Sequence, residues 1–258
     1  MKPFPTSVQD GIEFAAGLLH KAERAVILTG AGISTPSGIP DFRSDGTGLW
    51  SRDEPLEVAS LHTFRTDPEK FYAWFRPLAG QIFDARPNPA HLALAELEER
   101  GHIRSIVTQN IDMLHKKAGS GRVIEMHGTL ATLSCTQCFR KVDSLPYLRP
   151  FVEKGVIPHC PNCGAVLKPD VILFGEQLPQ RAWFEAQRDS RACDVMVVAG
   201  SSLEVLPVAG LPMQALERGA HLIVINNSPT YLNLRADAVI QGDVAEVLPA
   251  IAEHVSHG

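Results

Sequence analysis

A chain of 258 residues, 45% hydrophobic and 21% charged, can bury one large core, or one core plus a small satellite that needs its own staple. Its formal net charge of −5 argues against general duplex nucleic-acid binding, which needs a basic face, and no stretch approaches the roughly 18 uninterrupted apolar residues of a membrane span. Met1 to Asp10 lack the basic-then-apolar layout of a secretory signal, so a cytoplasmic protein with protein or small-molecule partners is expected.

Apolar residues at Val8, Ile12, Ala15, Leu18 and Leu19 keep helical spacing, and Ala25 to Thr29 then reads as a buried strand. A glycine-rich turn follows at Gly30-Ala31-Gly32-Ile33-Ser34, where missing side chains would let the backbone approach a pyrophosphate. Thr35-Pro36 is expected to cap and begin a short helix that Gly38 and Pro40 stop, leaving Asp41-Phe42-Arg43-Ser44 on a loop. From residue 43 to 89 the pattern becomes helical, with Phe71, Tyr72, Trp74 and Phe75 expected in a core. Strand-like runs return at Ile103–Thr108, Val123–Met126, Asp194–Ala199 and His221–Asn226, with helical patterns between several of them.

The expected fold class is therefore α/β, a Rossmann-like parallel sheet with helices on both faces, plus a small zinc-ribbon and helical insertion module. Residues 8–42, 90–128 and 170–255 would form the sheet-bearing domain, 43–89 the helical insertion and 129–169 the small module, within one unit spanning 1–258.

Cys135 and Cys138 are followed, after twenty-one residues, by Cys160 and Cys163. Two CxxC pairs on tight turns can bring four thiolates to the corners of a tetrahedron, the geometry zinc accepts from sulfur. Four protein ligands leave no open position, so the metal is expected to be structural, the alternatives being a redox dithiol or unrelated buried cysteines. Cys193 stands apart.

The glycine turn alone is weak. A dehydrogenase fingerprint wants a third glycine where this chain has Thr35, and no acidic ribose partner ends a second strand about 20 residues on. Hydride transfer is disfavoured. His127 could serve as a general base at a strand end, or be a surface or hydrogen-bonded core histidine. The serines and asparagines after strands read equally well as helix caps.

Residues 30–43, from Gly30 through Thr35, Asp41, Phe42 and Arg43, resemble the NAD-loop motif of the sirtuin (Sir2) family almost letter for letter. Thr108-Gln109-Asn110-Ile111-Asp112 with Leu114-His115 resembles the family's second motif; His127-Gly128, Gly200-Ser201-Ser202 and Asn226 follow in order, with the cysteines between His127 and Phe174-Gly175-Glu176. The resemblance spans about Ala15 to Val247, and residues 32–44 look like the bacterial and archaeal branch.

That resemblance implies a protein-lysine deacylase that consumes NAD as co-substrate and releases nicotinamide, O-acyl-ADP-ribose and free lysine. It implies His127 as the base that activates a ribose hydroxyl, Asn110 organising ribose and water, and Asp112 holding the nicotinamide carboxamide. Phe42 would shield the cleaved bond and Arg43 meet a phosphate, unless it forms a loop salt bridge. Gly30, Ala31, Gly32, Thr35, Asp41, Gln109, Ile111, Gly200, Ser201, Ser202, Asn226, Asn227, Asp243 and Val244 would complete the NAD contacts. Ile172 and Phe174 would line an acyl tunnel, with Gly175-Glu176 and Val205-Leu206 pairing their backbones with the peptide. The Tyr-x-x-Arg pair of the branch that removes acidic acyl groups is not matched, because Phe75 follows Tyr72 by three and Arg76 by four. An uncharged acyl group is favoured. The expected partners are acyl-lysine proteins or peptides and NAD, without direct nucleic acid or membrane, for a monomer; protein mono-ADP-ribosyl transfer from the same NAD site is the alternative activity.

Overall fold

The computed structural model describes residues 7–41 and 55–257. The chain runs through α1 (Val8–Lys21), β1 (Ala25–Thr29), two short 3-10 turns (Ala31–Ile33 and Thr35–Ser37), α2 (Pro55–Val58), α3 (Leu61–Thr66), α4 (Pro68–Asp84) and α5 (Pro89–Glu99). Next come β2 (Ile103–Thr108), α6 (Leu114–Lys117), β3 (Val123–Glu125), β4 (Gly128–Cys135), β5 (Lys141–Asp143), α7 (Leu145–Lys154) and β6 (Leu167–Val171). The last third holds α8 (Gln180–Ala192), β7 (Val195–Ala199), α9 (Leu211–Leu216), β8 (His221–Asn226), β9 (Ala238–Gln241) and α10 (Val244–His257).

Six strands form one parallel sheet in the order β3-β2-β1-β7-β8-β9. Every residue of β1 and β7 is buried, as apolar runs covered on both faces require. Ile27, Val197 and Ile223 point to one face with α1, α5 and α10, whereas Leu28, Val198 and Val224 meet residues of α8 and α9 on the other. Asp194 stands just outside β7, not within it as the apolar run suggested. Its carboxylate accepts from Glu23 N at 2.6 Å and Arg24 N at 3.1 Å, fixing the entry to β1.

Caps set the helix starts. Ser7 and Asp10 form a reciprocal box on α1; Asp67 and Asn88 accept from backbone N–H groups at the starts of α4 and α5, each followed by proline at the first helical position. Each cap contributes about 1 kcal/mol. On α4, Phe71, Tyr72 and Phe75 are buried and Phe71 meets Tyr72 edge-on at 5.3 Å. Phe151 of α7 joins them, so the helices before β2 and the segment between the cysteine pairs share one apolar cluster. The smaller sheet, β5-β4-β6, is antiparallel and sits over the cysteines. Among the described residues no helix is long and apolar enough to cross a membrane.

Candidate active site

The chain order reverses where β1 meets β7, with β2 and β3 to one side and β8 and β9 to the other. Parallel α/β sheets bind ligands in the crevice outside the carboxyl ends of the strands at such a point. The loops after β1, β2 and β7 leave from it, and His127 follows β3.

Glycine is required here for a reason other than the one the turn suggested. A Cβ on Gly30 or Gly32 would come within 2.9 Å of the Gly200 carbonyl oxygen, so their bare faces admit the loop after β7. Gly32 N also donates to Gly200 O at 2.9 Å, and Gly30 N to Ala199 O at 3.3 Å. Gly200 has φ +61, and a Cβ there would lie 2.3 Å from Ile33 N. The two loops interlock. The helix expected from Thr35 is a 3-10 turn with Ser34 at the cap position, and Thr35 Oγ1 instead donates back to Gly32 O at 3.0 Å.

Asp112 is buried and accepts from Ser34 Oγ at 2.7 Å and Leu114 N at 2.8 Å. Burial raises its pKa above the usual carboxylate value, against the lowering effect of those bonds. Asn110 Nδ2 reaches Gly30 O at 3.0 Å and Ser34 Oγ at 3.1 Å, while Gln109 Nε2 donates to Ser201 Oγ at 2.9 Å. The loop after β2 is thereby bonded to both of the others. Neutral amides and hydroxyls gather around one buried carboxylate, a donor and acceptor set suited to a ligand carrying a carboxamide and ribose hydroxyls.

His127 Nδ1 lies 2.9 Å from the Gln109 carbonyl oxygen, which can only accept, so Nδ1 carries the proton and Nε2 keeps its lone pair. Burial lowers the ring's pKa, with the Gln109 carbonyl opposing it, so the ring is neutral near pH 7. The backbone oxygen of His127 accepts from Ile172 N at 2.8 Å, linking this corner to the chain beyond β6.

The cysteines form a cluster whose Sγ atoms all lie within 4.8 Å of one another, with Cys135 to Cys163 at 3.4 Å and Cys138 to Cys160 at 3.6 Å. Zinc–sulfur bonds of about 2.3 Å require tetrahedral sulfur–sulfur edges near ~3.8 Å, so the set fits a zinc ion. Gln137 N and Cys138 N both point at Cys135 Sγ at 3.4 Å, donors that suit a thiolate.

The sequence profile of the Sir2 family matches residues 30–207. The chain belongs to the Sir2 family. It is 46% identical to NAD-dependent protein deacylase 2 of Archaeoglobus fulgidus, over 96% of this chain and 97% of that protein. It superposes on Sir2Af2 bound to a myristoylated histone peptide with a TM-score of 0.82 at 42% identity, covering 96% and 98% of the two chains. A Sir2 structure with a deacetylated p53 peptide and 3'-O-acetyl-ADP-ribose gives 0.87 at 37% identity, covering 94% and 97%.

Of the residues that the Sir2 motifs single out, Gly30, Gly32, Gln109, Asn110, Asp112, His127, Gly200 and Ser201 converge through the contacts above. Phe42 and Arg43 lie outside the described residues. Asn226 Nδ2 donates to Ser228 O at 2.8 Å, Asn227 O accepts from Gln241 Nε2 at 3.0 Å, and Asp243 Oδ1 accepts from Ala245 N at 2.8 Å, local roles of the turn and cap kind. Of the residues expected to meet the acyl-lysine peptide, Phe174 N and O pair with Ala59 O and Leu61 N, and Glu176 N is taken by Leu173 O, so none of these three groups is open to a peptide. Val205 and Leu206 are exposed.

Five contributors were not singled out as site residues. Ser34 bridges Asn110 and Asp112. Thr29 donates to Thr108 Oγ1 and therefore accepts from His115 Nε2, while Thr108 also accepts from Asn110 N. His91 packs on His115 with ring centroids 4.8 Å apart. Ser34, Thr108 and His115 stand inside the quoted motifs, and that was the available signal. His91 had none beyond its place after an Asn-Pro helix start.

Proposed function

We propose that this Sir2 protein is an NAD-dependent protein-lysine deacylase that turns an acyl-lysine and NAD into free lysine, nicotinamide and an O-acyl-ADP-ribose. One observation carries the reading: a half-buried, neutral His127 with Nδ1 held by a backbone carbonyl and Nε2 left as acceptor, beside the loop that carries Asn110 and Asp112. NAD, when bound, supplies the ribose carbon that accepts the acyl oxygen as nicotinamide departs. His127 Nε2 takes the proton of a ribose hydroxyl, Asn110 orients ribose and water, and Asp112 receives the carboxamide N–H. Ser201, Ser202, Asn226 and the backbone at Asp243-Val244 hold the remainder of the dinucleotide, with Phe42 excluding water from the cleaved bond and Arg43 meeting phosphate. Zinc held by the four cysteines keeps the β4–β6 sheet folded and has no part in the chemistry.

The same proposal divides the chain into a nucleotide-binding domain (8–42, 90–128, 170–255), a helical insertion (43–89) and a zinc module (129–169). It takes the protein to be a cytoplasmic monomer acting on acyl-lysine proteins without touching nucleic acid, in keeping with a net charge of −5. Mass spectrometry of an acetyl-lysine peptide incubated with NAD, without NAD, and with the His127→Ala variant tests it. Deacetylated peptide matched mole for mole by O-acetyl-ADP-ribose, only for wild type plus NAD, is the expected result. NAD cleavage with an untouched peptide overturns deacetylation and favours a longer acyl group or ADP-ribosyl transfer.

A further inference from the structure

The segment from Leu173 to Glu176 is a tight turn closed twice. Glu176 N donates to Leu173 O at 2.9 Å, with Gly175 at φ +89 in the third position, where such a turn needs positive φ. The Glu176 side chain then folds back and accepts from Leu173 N, also at 2.9 Å. Residue 173 thus has both backbone groups bonded to residue 176.

Lys168 fixes that carboxylate. Its side chain is only 12% exposed, and the ammonium uses three donors at once: Glu176 Oε2 at 2.9 Å, Val171 O at 2.7 Å and Pro169 O at 3.1 Å. Two of these partners belong to β6, so a single side chain ties the turn to the edge of the cysteine-bearing sheet. Phe174, at the second position of the turn, keeps its ring partly exposed while its backbone pairs with Ala59 and Leu61. The turn is held from two sides and leaves Phe174 and Gly175 exposed.

We infer that Lys168 is a positioning residue for the acyl-lysine substrate, acting through Glu176 to hold the Phe174–Gly175 turn in the shape that receives the peptide. This rests on the deacylase reading, in which that turn contacts the substrate. Lys168 touches no reacting atom. Its carboxylate partner is accordingly a brace rather than a recognition group, which leaves peptide binding to the Gly175 backbone and the exposed part of Phe174. NAD contacts lie on other loops, so loss of the brace should separate the two substrates kinetically.

The experiment compares wild type with Lys168→Met, Lys168→Arg, Glu176→Gln and the Lys168→Met/Glu176→Gln double variant. Lys141→Met, which removes an exposed lysine from its pair with the partly buried Asp170 on the same sheet, is the control. Acetyl-lysine peptide and NAD are varied in turn, and peptide binding is read separately by fluorescence anisotropy without NAD. For Lys168→Met the peptide KM and dissociation constant should rise on the order of tenfold, the scale of one lost charge-assisted contact, with kcat and the KM for NAD within about twofold. Glu176→Gln, which keeps an acceptor for Leu173 N and disturbs the fold less, should shift the peptide constants in the same direction by a smaller factor. The double variant should be no worse than Lys168→Met alone, and Lys168→Arg should recover most of the loss. A rise in both KM values together, or unchanged peptide constants, overturns the inference. Failure of the function itself looks different: wild type would then bind the acetyl peptide and release no deacetylated product, while the anisotropy series still decides the role of Lys168.

Discussion

The 2.9 Å contact between His127 Nδ1 and the Gln109 carbonyl oxygen leaves Nε2 as the lone pair of a ring that burial keeps neutral. If that lone pair is the working base, kcat/KM should rise with pH through an apparent pKa below the ordinary histidine value of 6.5. His127→Ala should lose about 10²- to 10⁴-fold in deacylation, the usual worth of a positioned base. A pH–rate series on wild type together with the variant's residual rate checks both. An acid limb at or above the ordinary value would show that Nε2 is more exposed to solvent or paired with a charge.

Asp112 stores a cost. Its folded pKa is raised, so any stability it contributes is complete below the ordinary value of 3.8 and is lost as pH rises through the folded value. At neutral pH the buried charge works against the fold. Asp112→Asn can keep an acceptor for Leu114 N and a partner for Ser34 Oγ, so it should leave the free protein equally stable or about 0.5–2 kcal/mol more stable at pH 7. Activity should fall at least tenfold, because an amide cannot reproduce the carboxylate at the proposed carboxamide contact. Thermal melts and steady-state rates on the same samples decide this, and a destabilised variant would contradict it.

The His91–His115 pair has the opposite pH signature. Burial holds His91 at about 4, and burial together with His91 holds His115 at about 3, both below 6.5. A depressed folded value means the stability they contribute is complete above pH 6.5 and is lost as pH falls toward those values. Each ring should steepen that loss by about 1.4 kcal/mol per pH unit inside its window. Urea denaturation midpoints at pH 7, 6 and 5 should therefore drop faster for wild type than for a His91→Gln/His115→Gln variant. Parallel trends would mean that the pair is solvated.

Zinc content should be about one ion per chain, as four thiolates in one cluster demand. Cys163→Ser replaces an exposed ligand and should abolish tight zinc binding and lower the melting temperature. Cys193→Ser, at a buried thiol outside the cluster, should keep full metal content. Inductively coupled plasma mass spectrometry and calorimetry read the two effects separately.

Much of this was legible before any coordinates. The apolar runs at β1, β2, β7 and β8 announced a sheet buried on both faces, because continuous valine and isoleucine leave no solvent side. The CxxC spacing announced the cluster, and ordered motifs pointed to the crevice. Three things were not legible, each because it depends on partners distant in sequence. Gly30 and Gly32 serve the loop at Gly200, a relation across 170 residues that a local glycine rule reads as room for a ligand. His91 and Thr29 matter through His115, which a motif shows as one letter without its neighbours. Glu176 looked like a residue of the peptide edge, and only the fold reveals Lys168 behind it.

The interlock of Gly30, Gly32 and Gly200 makes the loops after β1 and β7 a single mechanical part. A side chain added at any of these glycines has backbone, not a yielding side chain, in its way, so local repacking cannot absorb it. Transplanting either loop alone from a relative of different shape should fail, whereas exchanging both together should succeed. A workable change in one of these loops therefore needs a matching change in the other.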